Sequence, residues 1–159
     1  MPPVTTSDGS VGTPTPGPIP TPVPAPVPDP VPGSPADMWV ETYVDTWNQA
    51  ARTLCGCVSD DDTECYDELS FSDEFSACAR RMAAAFPPEQ LEPSLGCSAS
   101  ANTRLESCLR GSMCRDERIE GCISTFDDQM DECFRSGAAI EFFSALSECP
   151  GGPDEPFDP

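Results

Sequence analysis

The feature that most constrains this chain is the spacing of four cysteines. Cys97 and Cys108 lie eleven residues apart, and Cys122 and Cys133 repeat the interval. Eleven residues close about three turns of an α-helix, so the members of each pair share one face. Gly111 and Ser112 fall between the pairs and permit a reversal. Two antiparallel helices then bring Cys97 to Cys133 and Cys108 to Cys122. The result is a helical hairpin stapled by a disulfide near each end. This spacing leaves open the partners of Cys55, Cys57, Cys65, Cys78, Cys114 and Cys149.

All ten cysteines lie between Cys55 and Cys149. An even number at this density reads as a disulfide framework made in an oxidising compartment. Cys55-Gly56-Cys57 has no histidine to help hold zinc and is one residue short of a Cys-x-x-Cys redox pair. We read it as two structural bridges leading to different parts of the fold. The run Ser59-Asp60-Asp61-Asp62-Thr63-Glu64 fails as an EF-hand. Counted from Asp60, the sixth position is Cys65 instead of glycine and the twelfth is Phe71 instead of glutamate. A calcium site of another kind would draw on Asp60, Asp62 and Glu64. The expectation is an exposed loop with no metal, its carboxylates favouring the start of a short helix over 64–69.

Hydrophobic periodicity supplies the remaining elements. Ser34, Pro35 and Asp37 form a helix start, and Val40, Val44, Trp47, Ala51 and Leu54 follow at offsets of three and four. A helix over 35–54 is expected, with Trp47 in the core and Trp39 at the edge of the stripe as a possible interaction surface. Phe71, Phe75, Cys78, Met82 and Phe86 predict a second long helix that stops before Pro87-Pro88. Residues 87–95 read as a connector with at most one helical turn. Leu105, Cys108 and Leu109 predict a helix over 99–110. Ile119, Cys122, Ile123, Phe126, Met130, Cys133 and Phe134 predict the next, and Ile140, Phe143 and Leu146 predict a last one over 138–147. The fold class is therefore all-α, a small disulfide-rich bundle of four to five helices.

Proline occupies every second position from Pro14 to Pro32. Each ring fixes its own φ and pushes the preceding residue towards extended geometry. At about 3.1 Å per residue such a rod reaches roughly 60 Å. Residues 1–33 thus read as a disordered, proline-rich linker or stalk, 34–150 as the helical domain, and 151–159 as a flexible acidic tail released by Gly151-Gly152.

The chain has no histidine and no lysine; eight arginines face 28 acidic residues, for a formal charge of −20. That balance excludes nucleic-acid binding by phosphate neutralisation and adsorption to anionic membranes. Without histidine there is no Ser-His-Asp or Cys-His machinery, and no Gly-rich nucleotide loop is present. No catalytic, cofactor-binding or metal site is expected, and no stretch reaches the roughly 20 apolar residues of a membrane span. No apolar signal-peptide core follows Met1, so a targeting segment or lipid-anchor cysteine is expected only in a precursor. The expected role is a secreted or envelope-anchored, non-catalytic module shown on a stalk, with another protein or an envelope component as partner. The alternatives are a secreted acidic inhibitor or effector and, third, a redox factor.

The spacing of Cys97, Cys108, Cys122 and Cys133 resembles the twin Cys-x9-Cys hairpins of small mitochondrial intermembrane-space proteins. Those also join the first cysteine to the fourth and the second to the third. Here each inner gap holds ten residues, and six further cysteines are present. The proline stalk ahead of an acidic, lysine-free helical domain looks like secreted or lipid-anchored envelope proteins of GC-rich bacteria.

Overall fold

Four helices begin where a side chain can satisfy their first free amides. The computed structural model describes residues 33–58 and 61–153. Ser34 Oγ accepts from the Asp37 amide (3.2 Å) at the start of α1, Pro35–Val58. Asp61 accepts from the Thr63 and Glu64 amides ahead of α2, Asp62–Leu69. Ser72 caps α3, Asp73–Ala83, by accepting from Phe75 N, and Ser136 caps α6, Gly137–Leu146, by accepting from Ala139 N. Between them run α4, Pro88–Ser112, and α5, Asp116–Cys133. The fold is the expected all-α, disulfide-rich bundle. Five helices contribute buried residues, and α2 contributes none. The expectations for the proline stalk, for Asp60 and for the tail beyond Pro153 fall outside the described residues.

Five disulfides use all ten cysteines: Cys55–Cys65, Cys57–Cys114, Cys78–Cys149, Cys97–Cys133 and Cys108–Cys122. The last two hold α4 and α5 antiparallel, with Cα atoms 5.5 and 5.7 Å apart. α1 and α4 instead run in the same direction. Trp39 faces Gly96, Asn102 meets Tyr43 and Thr46, and Cys57 is bonded to Cys114.

Two apolar clusters lie along this framework. Val40, Tyr43, Val44, Phe75, Leu91, Leu95 and Phe142 are among the residues of the first, between α1, α3, α4 and α6. Ala50, Leu105, Leu109, Ile119, Phe126 and Met130 belong to the second, between α1, α4 and α5. Trp47 packs against both, 5.9 Å from the Phe71 ring and 5.9 Å from the Phe126 ring.

Four local expectations require correction. The predicted connector over 87–95 is helix, because α4 begins at Pro88 and passes through Pro93. Pro93 forgoes only the hydrogen bond to Glu89 in the second turn, and burial of Leu91 and Leu95 offsets that loss. The reversal after α4 does not use Gly111, which stays helical. Met113 (φ 54°) and Cys114 (φ 53°) make it in the left-handed region. Buried Ser112 sets this position: its Oγ donates to Leu109 O (2.7 Å) and accepts from Cys114 N (3.1 Å). A left-handed residue other than glycine costs about 1–2 kcal/mol. Met113→Gly should therefore stabilise the fold by about 1 kcal/mol, read as a higher midpoint in urea.

On α6, Ala139, Phe142 and Leu146 face inward, and Ile140 is 53% exposed. Leu146 is buried as expected and Phe143 packs against the first cluster, but Phe142 and Ala139 rather than Ile140 take the fully buried positions, so the helix is turned towards that side. The Cys78–Cys149 bridge, both ends buried, holds the end of this segment against α3. Finally, Gly151 and Gly152 do not release the chain. Ser72 N donates to Gly151 O (3.0 Å), and a side chain on Gly151 (φ 73°) would collide with Ser72 Oγ. The sequence also shows a degenerate pattern, Cys65…Cys78-Ala-Arg, Cys97…Cys108-Leu-Arg and Cys122…Cys133-Phe-Arg; its first segment is not equivalent to the other two, since Cys65 and Cys78 lie on different helices.

Tyr43 is 2% exposed, and burial pushes its phenol well above the ordinary tyrosine range. An unfolded tyrosine ionises near pH 10, whereas folded Tyr43 keeps its proton. Above pH 10 the folded state therefore binds more protons than the unfolded one, and stability falls as pH rises. At pH 11 this group should cost the protein on the order of 1 kcal/mol relative to pH 8. Tyr43→Phe should remove that pH-dependent loss, measured by urea midpoints of both proteins at both pH values.

Candidate functional site

Several buried and half-buried polar side chains join helices. Asn48, on α1, clamps Phe71 from both sides: its Oδ1 accepts from Phe71 N (2.8 Å) and its Nδ2 donates to Phe71 O (3.0 Å). Next to it, Trp47 Nε1 donates to Leu69 O (2.7 Å). These bonds, the Cys55–Cys65 bridge and Arg52 stacked over the Tyr66 ring fix α2 against α1. Asn102, fully buried on α4, donates to Tyr43 O (3.3 Å) and Thr46 Oγ1 (3.2 Å). These are the chain's two asparagines, and both lie inside helices, where asparagine is unfavourable without a specific partner. That mismatch was the available sequence signal for them. Arg80 is used in the same way: its Nε lies 3.2 Å from Asp37 Oδ1, tying the end of α3 to the start of α1.

Asp61 is occupied as the cap of α2. Among the described residues no three His, Cys, Asp or Glu side chains form a cluster suited to a metal ion. No described helix is long and apolar enough to cross a membrane.

Two surface features remain as candidates. The first is an open groove of about 430 Å³ between the N-terminal half of α4 and the junction of α5 with α6. Pro93, Ser94 and the Cys97–Cys133 bridge lie in its lining, with Glu89, Glu132, Arg135 and Ser136 around them. Its size is within the range of small-ligand sites, but the Arg135–Glu132 pair (3.6 Å) is solvent-exposed on both sides. Trp39 is not part of this lining. It is half-buried on Gly96, where an added methyl group would sit 3.4 Å from the indole. Glycine there lets α1 and α4 approach with the ring between them, and part of the indole stays accessible.

The second feature is the opposite end of α1. Val58 (56% exposed) and Met113 (74% exposed) flank the Cys57–Cys114 bridge. A helix of 24 residues spans about 36 Å, so this tip lies far from Pro35, where the proline-rich segment joins.

The cysteines expected to brace the fold do so, each in a bridge. Trp39 is not brought together with either the groove or the tip. No protein-family model, curated protein or solved structure matches this chain.

Proposed function

We propose that this protein is a non-catalytic module of the cell exterior or envelope, carried on its proline-rich segment and used for binding, adhesion or surface structure. The observation that carries this reading is the complete pairing of ten cysteines into five bridges. Such a framework belongs to an oxidising compartment and braces a small core against unfolding there. The geometry supports display as well. α1 starts directly after the proline-rich segment, and its far end presents Val58 and Met113. The partner is another protein or an envelope component. A formal charge of −20 without lysine favours a second reading, an acidic inhibitor or effector of a basic protein. Binding that weakens steeply with salt would select it.

The test is fractionation of the source cells with thiols alkylated at lysis. The protein should be found outside the cytoplasm with all ten cysteines blocked. A cytoplasmic pool with free thiols contradicts the reading. Incubating the stalked domain with isolated envelopes then separates the two roles: salt-resistant retention supports display, and retention only at low salt supports the acidic binder.

A further inference from the structure

We propose that Cys57–Cys114 is a thiol–disulfide exchange site, the one bridge that a dithiol reductant opens while the other four stay closed. In every other bridge at least one cysteine is buried: Cys55, Cys78 with Cys149, Cys133 and Cys122 are each at most 7% exposed. Cys57, packed at the edge of the second cluster, is half-buried, and Cys114 is exposed. Exchange needs one sulfur open to the attacking thiolate and the other able to leave as a charged thiolate, which a buried position disfavours; Cys108 is exposed too, but its partner Cys122 is buried, and only in Cys57–Cys114 is neither residue buried.

The backbone points the same way. Cys114 and Met113 both hold positive φ, and Met113 projects into solvent without covering the bridge. Opening the bridge removes one tie on two residues held in the left-handed region, whereas the helical cysteines Cys97, Cys108 and Cys122 hold no such conformation.

The exchange balances as two substitutions. One thiolate of the dithiol attacks Cys114 Sγ, the S–S bond breaks, and Cys57 leaves as a thiolate that takes a proton from solvent. The second thiol of the reductant then loses its proton and attacks the mixed disulfide, releasing Cys114. Two electrons pass to Cys57 and Cys114, and the reductant ends as a disulfide. The hairpin bridges and Cys78–Cys149 keep both cores closed throughout. The consequence is confined to the tip: the α4–α5 turn separates from the end of α1, and Val58 and Met113 are no longer held side by side. This would make the tip's shape depend on the surrounding dithiol level.

The test is graded reduction of native protein with dithiothreitol, alkylation at intervals, and mapping of labelled cysteines. A species labelled at Cys57 and Cys114 alone should form about tenfold faster than any other, with the helical circular-dichroism signal retained. First labelling at any other pair, or release of all ten thiols together, overturns the proposal. A Cys57→Ala/Cys114→Ala variant gives an independent check. It should keep its helicity and show no early two-thiol species, and an early species in that variant also overturns the proposal.

Discussion

Replacing Cys78 and Cys149 together by alanine should lower stability by about 4 kcal/mol, the largest loss from any single bridge. The two residues lie 71 apart in sequence, and removing a bridge restores to the unfolded chain the entropy of the loop it had closed. The shorter loops of Cys97–Cys133 and Cys108–Cys122, with separations of 36 and 14, each contribute less, the second about 3 kcal/mol. Both ends of Cys78–Cys149 are also buried in the first cluster, so deletion leaves apolar space beside Phe142 and Ala79. For a domain of this size the loss corresponds to a fall in Tm of about 15 °C. A calorimetric scan of the double variant measures it. A fall of only a few degrees would mean that α6 holds its place without the bridge.

Phe142→Ala should cost about 3–5 kcal/mol, while Ile140→Ala, two residues away, should change stability by less than about 0.5 kcal/mol. Phe142 is fully buried and meets Phe86 (5.7 Å) and Phe143 (5.4 Å) edge-on. Ile140 points to solvent on the same helix. Urea unfolding of the two variants reads the roll of α6 directly. Equal losses, or a larger loss at Ile140, would place the opposite face of α6 in the core.

These two residues show where the sequence was legible and where it was not. The hairpin was legible because two equal cysteine intervals on helices admit one antiparallel register, and the structure forms both links. The helix start at Ser34 was legible because a cap is a local interaction between a side chain and nearby amides. The roll of α6 was not. Ile140, Phe143 and Leu146 make an apolar stripe as good as Ala139, Phe142 and Leu146, and the choice depends on α3, α4 and a bridge to Cys78 formed far along the chain. The N-terminal half of α4 was hidden for a related reason. Pro93 and Gly96 argue locally against helix, and only packing of Leu91, Leu95 and Trp39 overrides them. At the surface, spacing gave no hint of the groove beside Cys97–Cys133. Its lining comes from three helices whose relative placement is set by bridges and cores rather than by any one segment.

The central claim is that the ten cysteines of the native protein form five bridges of one connectivity around two helical cores. Peptide mapping of the native, non-reduced protein tests it most directly. Cleavage after Arg104, Arg110, Arg115 and Arg118 separates Cys97, Cys108 and Cys114, and cleavage at Asp127, Asp128 or Asp131 separates Cys122 from Cys133. Cys55 and Cys57 stay on one peptide, so the expected species are a three-peptide assembly joining that peptide to those of Cys65 and Cys114, and the linked pairs Cys78–Cys149, Cys97–Cys133 and Cys108–Cys122, with no alkylatable thiol before reduction. A Cys97–Cys108 link, or a native protein with free cysteines, would contradict the account.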